Sequence, residues 1–574
     1  MPPALTLSPA TTLCGSTHGE ALDPITVEVI RNKLDGIANE MQTTLVRSSF
    51  SPFVKEGLDA SASLFTVSGQ TLAQATAIPL HLATMIPMVE RFIATFPPAE
   101  MAEGDIYAMN DPYLGGTHLP DIYLVAPVFY DGTLVALATA ITHHQDVGGM
   151  SAGSLPTHAT EIFQEGLRLP PLKLRDRGRM NETLLAILKL NVRTPDLLMG
   201  DLNAQIAACT IGARRLCALA ETYGAHDLAA VFDTLLDRSE LLTRQSLAAL
   251  PRGTFPYVDY LDNDGVDLER RVKIAVAVTI DDAGLTCDFS ASDPQVRGPF
   301  NSVPSGALAA GCFAIRALAD PTIPTNGGCF RPLKVIVKRG TLFDPVPPAP
   351  VNARTATIKR ATGCILGALR EAAPGAFPAD GSHSTITLAM GGRRSDGTRY
   401  VTGQALVGGT GAHSAGDGID ALETDVGNVM NQPVEALEAD APIHVVERRL
   451  RIDSGGPGKF RGGLGISTAY TLLDGELTLT HRGERHNSQA RGYAGGGAGA
   501  PTNSLIVRAD GTREVIPSKI VTTMHAGDTL LIETPGGAGY GDPHERDRDR
   551  LREDIENGRV SEGAATAAYG PIET

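Results

Sequence analysis

The chain has 574 residues, of which 42% are hydrophobic and 20% are charged, a composition typical of a soluble protein with a large buried core. Its formal net charge of −16 repels phosphate backbones and acidic lipid, so we expect no binding to nucleic acid or to a membrane surface. Seven cysteines without a C-x-x-C pair indicate reduced thiols, and no apolar run is long enough to span a bilayer. We expect a cytoplasmic protein.

The first helix is predicted to begin at Asp23-Pro24, an acidic N-cap followed by proline at the first helical position. Residues 1–22 are small and rich in Pro and Thr, and are expected to form a flexible extension. After Pro24, apolar residues recur at spacings of three and four, which predicts one buried helical stripe made of Val27, Ile30, Leu34, Ile37, Met41 and Leu45.

Two apolar runs around Asp131-Gly132 predict a β-hairpin, because a D-G pair between such runs favours a two-residue turn. In the unbroken register from that turn, His143 lies opposite Pro120, with His118 on the diagonal. Imidazoles and a carboxylate at one strand end are donors that a borderline divalent metal prefers. The segment is therefore interpreted as the active site.

Strand alternation sets a limit on this interpretation. It puts His118 and His143 on one face of the hairpin and Asp121 and His144 on the other. A bend at Pro120 is predicted to bring Asp121 round, since proline fits poorly inside a paired strand. The alternative is that these histidines only cap the strand ends of a core hairpin. The clustering of five of the fourteen histidines favours the metal site: His81, His118, His143, His144 and His158.

The rest of the chain divides by its pattern. Residues 181–250 are helical almost throughout, and from residue 251 the pattern changes to strands joined by turns rich in Gly, Asp and Pro. We predict an α+β fold, a large mixed fold with a metal-binding α+β region over 23–180, a central helical layer over 181–250 and a glycine-rich β region over 251–574.

The glycine-rich loops do not match a nucleotide-binding motif. The nearest P-loop candidate, Gly455 to Arg461, has Phe460 after its Gly-Lys and lacks the hydroxyl that holds magnesium. If ATP is used, another chain is expected to bind it. The basic pair Arg448-Arg449 and the run H-R-G-E-R-H at His481 to His486 could bind an anion, although a solvated face with local ion pairs is the commoner arrangement.

Several separated segments together resemble the hydantoinase B family, which includes B-type parts of ATP-dependent hydantoinases and 5-oxoprolinases and the alpha subunit of acetone carboxylases. The resemblance covers nearly the whole chain in order. The segments are D-P-I-T-V-E-V-I at Asp23, K-E-G-L-D-A-S at Lys55, H-L-A-T-M at His81, N-D-P-Y-L-G-G-T-H-L-P-D-I at Asn110, T-E-I-F-Q-E-G-L at Thr160, G-D-L-N-A-Q at Gly200, G-P-F-N at Gly298 and E-T-P-G-G-A-G-Y-G-D-P at Glu533.

The resemblance implies that an A-type ATPase partner phosphorylates an amide, lactam or ketone oxygen, and that this chain completes the reaction at a divalent metal such as Zn, Mn or Fe. The implied metal ligands are Asp59, His118, Asp121 and His143, where Asp59 rests on the resemblance alone. His144 and Asp146 are then expected to relay protons or to orient a ligand imidazole.

Three functions stay open at this point. The favoured one is the B-type subunit of a hetero-oligomeric hydrolase that opens a cyclic amide: hydantoin, 5-oxoproline or another lactam. The second is the alpha-type subunit of an ATP-dependent ketone carboxylase, and the third is a non-catalytic scaffold for the ATPase.

Overall fold

The structure, a computed structural model, describes residues 5–6, 23–423 and 425–571 and has a mixed α and β fold with several sheets. The predicted flexible extension over residues 1–22 lies outside the described residues, apart from one short strand. Up to residue 248 the elements are β1 (Leu5–Thr6), α1 (Pro24–Ser48), α2 (Pro52–Lys55), β2 (Ala60–Phe65), β3 (Thr71–Gln74), α3 (Pro79–Thr95), β4 (Ile106–Met109), β5 (Asp121–Tyr130), β6 (Thr133–His143), β7 (Leu172–Asp176), β8 (Arg179–Met180), α4 (Glu182–Asn191), α5 (Pro195–Tyr223) and α6 (Ala225–Ala248).

The second half of the chain adds three further sheets. Its first elements are β9 (Gly253–Leu261), β10 (Val272–Asp281), β11 (Gly284–Asp288), α7 (Pro304–Leu318), α8 (Gly327–Phe330), β12 (Leu333–Ile336) and α9 (Arg354–Ala372). Then follow β13 (Thr385–Arg393), β14 (Arg399–Val407), α10 (Val434–Asp440), β15 (Ile443–Leu450), β16 (Ile466–Leu472), β17 (Glu476–Arg482), β18 (Asn503–Val507), β19 (Arg513–Val515), β20 (Lys519–His525), β21 (Thr529–Glu533), α11 (Arg548–Glu556) and α12 (Glu562–Tyr569).

Helix α1 begins where the sequence predicts. The Asp23 carboxylate accepts hydrogen bonds from the backbone N–H of Ile25 at 3.2 Å and of Thr26 at 3.0 Å, which satisfies donors that the first helical turn leaves free. All six residues of the predicted apolar stripe are buried. Helices α1 and α5 pack together against one face of the N-terminal sheet, and α3 packs against the other.

The N-terminal sheet has seven strands in the order β3-β2-β6-β5-β4-β7-β8. Strands β5 and β6 lie at its middle and are buried along most of their length. Side chains of β5 alternate between two hydrophobic cores: Ile122 and Leu124 pack toward α1 and α5, while Tyr123 and Val125 pack toward α3. This central position makes the end of the hairpin a rigid place for functional side chains.

One hydrophobic core crosses the predicted boundary near residue 251. A second sheet, in the order β1-β12-β11-β10-β9, packs with α7 and α9, and α7 also contacts α3. The shared core includes Phe92 of α3, Ile315 of α7, Ile365 of α9 and Val276 of β10. Composition changes at residue 251, but the apolar faces on both sides of that point are buried against each other.

Beyond residue 384 two sheets form a sandwich around a separate core, in the orders β14-β13-β17-β20 and β15-β16-β21-β18-β19. Glycine-rich loops at its edge pack backbone against backbone. A Cβ on Gly409 would lie 1.8 Å from the carbonyl oxygen of Gly463, and one on Gly537 would lie 1.8 Å from that of Thr410. Only glycine fits at these contacts. Within the described residues, no helix combines the length and the apolar character that crossing a membrane requires.

Candidate metal centre

The register of the β5–β6 hairpin differs from the prediction by one residue. The turn is as predicted, with Asp131 and Gly132 at φ of 47° and 74°, and Tyr130 pairs with Thr133. Phe129 still pairs with Leu134, but Val135 has no partner and forms a β-bulge, so the next pair is Val128 with Ala136. Asp121, and not Pro120, therefore lies opposite His143.

The bulge removes the conflict between the two faces of the hairpin. Directly opposed residues share a face, so Asp121 and His143 lie on the same side of the sheet. Strand β5 begins only at Asp121, and His118 lies in the turn before it, where its carbonyl accepts the Asp121 N–H at 3.2 Å. The predicted bend at Pro120 is present as a turn just before β5, and it brings His118 beside Asp121. The bulge in β6, which was not predicted, places Asp121 opposite His143.

Three donor groups converge at this strand end. Asp121 Oδ1 lies 3.0 Å from His118 Nε2 and 3.3 Å from His143 Nδ1, and the two nitrogens are 3.2 Å apart. All three side chains are buried, and one ligand atom from each lies within 4.8 Å of the others. We call these residues the metal triad. Two imidazoles and one carboxylate form a donor set that fits zinc, manganese or iron.

Neighbouring groups fix the orientation of the triad. Asp121 Oδ2 accepts hydrogen bonds from Thr117 Oγ1 at 2.6 Å and from Arg354 Nη2 at 2.8 Å. His118 Nδ1 lies 3.1 Å from the carbonyl oxygen of Asn352, which can only accept, so Nδ1 carries the proton and Nε2 is free to bind a cation. Arg354 and Asn352 lie more than 200 positions away in the sequence and were not predicted.

The protonation states also suit metal binding. Burial lowers the pKa of His118 to about 3, so its imidazole is neutral near pH 7. Burial alone would raise the pKa of Asp121, but the neighbouring His118 and the Arg354 guanidinium hold that pKa well below its usual range. Neutral imidazoles and an ionised carboxylate are the forms that coordinate metals.

Asp59 lies next to the metal triad but contacts a further histidine. Its Oδ1 is 3.4 Å from His81 Nε2, and that nitrogen is 3.9 Å from Asp121 Oδ1. The backbone oxygen of Asp59 accepts the N–H of His143 at 3.0 Å. His81, on α3, was noted among the clustered histidines but was not predicted as part of the site, because nothing local relates a helix to the hairpin end.

His144 and Asp146 lie apart from the triad. The imidazole of His144 contacts Gln205 of α5, with 3.1 Å between Nε2 and Oε1. Asp146 accepts hydrogen bonds from the backbone N–H groups of Gly148 and Gly153 and pairs with Arg193 at 2.9 Å. Neither residue lines the cavity beside the triad. These contacts connect the end of β6 to the helical layer and give both side chains a positioning role.

The metal triad opens into a cavity between the N-terminal sheet and the C-terminal sandwich. Asp59, His81, His118 and His143 lie on one side of it. An apolar wall is formed by Phe53, Ile78, Leu80, Val426 and Met430, and polar groups come from Asn352, Arg354, Gln404 and Arg482. A largely apolar cavity with a few convergent polar groups is typical of a site for a small molecule.

Comparison with known proteins agrees with this architecture. The family model described as Hydantoinase B/oxoprolinase matches residues 23–543. The B-type subunit of a putative D-/L-hydantoinase from a Pseudomonas species is 32% identical over 579 residues, with 96% of each chain covered. The beta subunit of the caprolactamase of Pseudomonas jessenii is 32% identical over 563 residues, also with 96% of each chain covered.

The crystal structure of the ATP-dependent caprolactamase from Pseudomonas jessenii has the same fold. It matches this chain with a TM-score of 0.89 and 29% identity, covering 97% of each chain. The chain belongs to the hydantoinase B/oxoprolinase family, and the resemblance found in the sequence is confirmed.

Proposed function

We propose that this chain is the metal-dependent B-type subunit of an ATP-dependent amidohydrolase that opens a cyclic amide. The observation that carries the proposal is the metal triad, whose donor atoms lie within 4.8 Å of one another beside a largely apolar cavity. Two relatives, the B-type part of a hydantoinase and the beta part of a caprolactamase, support a cyclic amide as substrate and an A-type ATPase as partner.

His118, Asp121 and His143 hold the divalent cation in this proposal, and Asp59 completes the ligand set. A cation held there supplies Lewis-acid chemistry and lowers the pKa of water. Zinc, manganese and iron all suit nitrogen and carboxylate donors. Asp59 reaches the site from the segment before β2, and its Oδ1 lies 3.4 Å from Nε2 of His81, which is itself 3.9 Å from Asp121 Oδ1.

The other residues of the chain hold these donors and shape the cavity. Thr117 and Arg354 fix the Asp121 carboxylate, and the carbonyl of Asn352 fixes the ring of His118. The apolar wall around Phe53 and Leu80 excludes bulk water from the bound ring. Resonance makes a ring amide a poor electrophile, and the A-type partner removes that resonance by phosphorylating the amide oxygen with ATP.

Metal analysis of the purified chain tests the proposal. We expect about one metal ion per chain in the wild type and at least a roughly tenfold loss in His118→Ala. With the A-type partner added, ATP-dependent opening of hydantoin, 5-oxoproline or caprolactam should disappear in the same variant. His226→Ala is the matched control, because His226 is an exposed histidine on α6.

Two results would contradict the proposal. One is a wild-type chain without metal that still opens the ring when the partner is present. The other is full activity in His118→Ala, which is the result that a non-catalytic scaffold predicts. Bicarbonate-dependent ATP turnover with a ketone, without ring opening, would instead identify a carboxylase.

A further inference from the structure

The basic run from His481 to His486 lies inside the protein and is not the solvated face that its composition suggested. Glu484 and Arg485 are almost fully buried. Glu484 Oε1 pairs with Lys519 Nζ at 2.5 Å, and Arg485 Nη2 pairs with Asp259 Oδ2 at 3.1 Å. These charges are compensated by the protein itself, and Arg482 is the exception.

Arg482, the last residue of β17, lines the cavity beside the metal triad and is 7% exposed. Its Nη2 donates to the carbonyl oxygen of Pro156 at 2.6 Å and to Asn352 Oδ1 at 2.8 Å, both neutral acceptors. Its buried Nε–H has no hydrogen-bond partner in the described chain. No carboxylate oxygen of the described residues lies within ion-pair distance of this guanidinium.

The carboxyl group of Glu165 is directed elsewhere. Its oxygens accept hydrogen bonds from the backbone N–H of Val351 at 3.0 Å and of Asn352 at 2.8 Å. Glu165 therefore acts on Arg482 only at longer range, and burial raises the pKa of Glu165 to about 8, so much of it is neutral near pH 7.

A buried guanidinium without a counter-ion is unfavourable. Arginine keeps its charge in proteins, and a buried charge normally has a charged partner. A second guanidinium lies at the same end of the cavity: Arg354 is 5% exposed and also has a buried Nε–H without a partner among the described residues. Its Nη2 is already paired with Asp121. Of these two guanidinium groups, that of Arg482 has no carboxylate of the described residues within ion-pair distance.

Asn352 contacts both Arg482 and the metal triad. Its side-chain oxygen accepts from Arg482, and its backbone oxygen accepts from His118 Nδ1 at 3.1 Å. An anion bound at Arg482 therefore lies next to the place where the reacting group of a substrate would meet the triad.

We infer that Arg482 binds an anionic oxygen group of the molecule that reacts in this cavity, with Arg354 adding to the attraction. Guanidinium groups suit phosphate and carboxylate oxygens because charge-assisted hydrogen bonds reinforce the ionic attraction. The inference rests on the proposed function, which makes this cavity the reaction site. The anion has two possible sources: the phosphoryl group added by the partner, or a carboxylate that belongs to the substrate.

Calorimetric titration of the purified full-length chain, with and without manganese, tests the inference. The probes are inorganic phosphate, 5-oxoproline and 2-pyrrolidinone, which has the same ring without the carboxylate. We expect phosphate or 5-oxoproline to bind the wild type and to bind Arg482→Gln at least about tenfold more weakly. Arg482→Lys, which keeps the charge, should recover part of the affinity. Arg399→Gln is the control, because Arg399 is exposed and outside this cavity.

The probes separate the two sources. Phosphate binding that depends on Arg482 assigns the site to a phosphoryl group. Binding of 5-oxoproline at least about tenfold tighter than 2-pyrrolidinone, with that preference lost in Arg482→Gln, assigns it to a carboxylate. Unchanged affinities in Arg482→Gln, or a wild type that binds neither anion, would overturn the inference. Metal content and ring opening are measured on the same preparations, so a failure of the proposed function is seen separately.

A second measurement keeps the test valid if Arg482→Gln does not fold. Wild-type protein is treated with phenylglyoxal, which modifies arginine, and the modification of Arg482 is followed by mass spectrometry. Phosphate or 5-oxoproline should slow modification of Arg482 and leave that of Arg399 unchanged. Equal rates with and without both anions would count against the site.

Discussion

Two buried clusters of ionisable side chains in this protein are built in opposite ways. The first is the metal triad. The second, which we call the ion-pair network, joins β9, α9, β17 and β20 through Asp259, Arg360, Glu484, Arg485 and Lys519. In the network each charged group has an oppositely charged neighbour. In the triad the donor atoms point toward one another and include two imidazole nitrogens.

The difference separates a structural cluster from a binding site. Burial alone would raise the pKa of Asp259, but Arg360 and Arg485 hold that pKa well below its usual range, so the network satisfies its own charges. The triad holds its two nitrogens and its oxygen 3.0 to 3.3 Å apart, so that all three face a common point. In the proposed function a cation would complete such an arrangement, whereas a self-paired network needs none.

The largest effect is expected from Asp121→Ala. This change removes the central carboxylate of the triad, so we expect loss of bound metal and a fall in ring-opening rate of about 10³-fold, or about 4 kcal/mol. Metal analysis and the reconstituted assay measure both. Asp105→Ala is the control. Asp105 is also buried in the N-terminal region, but its carboxylate accepts a hydrogen bond from the Tyr107 hydroxyl and lies outside the triad. A metal content equal to that of the wild type in Asp121→Ala would mean that the triad, like the ion-pair network, does not hold the metal ion.

Asp259→Ala should instead change stability. It leaves Arg360 and Arg485 without their shared carboxylate, and we expect a loss of about 3–5 kcal/mol in the free energy of unfolding. Urea denaturation measures this loss. The folded variant should keep its metal content. Asp282→Ala, which removes an exposed ion pair with Arg252, should cost less than about 1 kcal/mol. A similar small cost for both variants would be inconsistent with a tightly coupled network.

The histidine beside the network should make stability depend on pH. Burial lowers the pKa of His481 to about 3, from an ordinary value of 6.5. The unfolded chain therefore takes up this proton first as the pH falls. The contribution of His481 is fully present above pH 6.5 and is lost between 6.5 and about 3, by about 1.4 kcal/mol per pH unit.

His481→Gln should flatten this part of the stability curve, measured by urea denaturation at a series of pH values. His226→Gln, at an exposed position, is the matched control and should leave the slope as it is in the wild type. An unchanged slope in His481→Gln would show that this imidazole titrates alike in the folded and unfolded chains.

The smallest effect is expected from Thr117→Val. It removes the 2.6 Å hydrogen bond to Asp121 but leaves all three residues of the triad. Loss of such a supporting bond should weaken metal affinity by about tenfold, measured by competition with a chelator. Thr210→Val, an exposed change on α5, is the control. A metal affinity equal to that of the wild type would mean that Arg354 alone is sufficient to hold the carboxylate.

Local features of the chain were predicted well because short-range contacts decide them. The N-cap at Asp23, the apolar stripe of α1 and the Asp131-Gly132 turn each depend on a few neighbouring residues. The clustering of histidines near the hairpin was also visible in the sequence. The proposed assignment of Asp59 to the ligand set came from the family resemblance, and no local spacing pointed to it.

The sequence by itself determined where the first helix begins, where the hairpin turns and which residue types gather at its end. The long helices α7 and α9 lie in the part of the chain that was predicted to be a β region. Only the tertiary structure decided the register, because the bulge at Val135 depends on how β6 packs between its neighbours. It also decided which distant groups surround the metal triad. His81, Arg354 and Arg482 reach the cavity from a helix and from later elements, and contacts at such sequence separations follow from packing of whole elements, which no local pattern encodes.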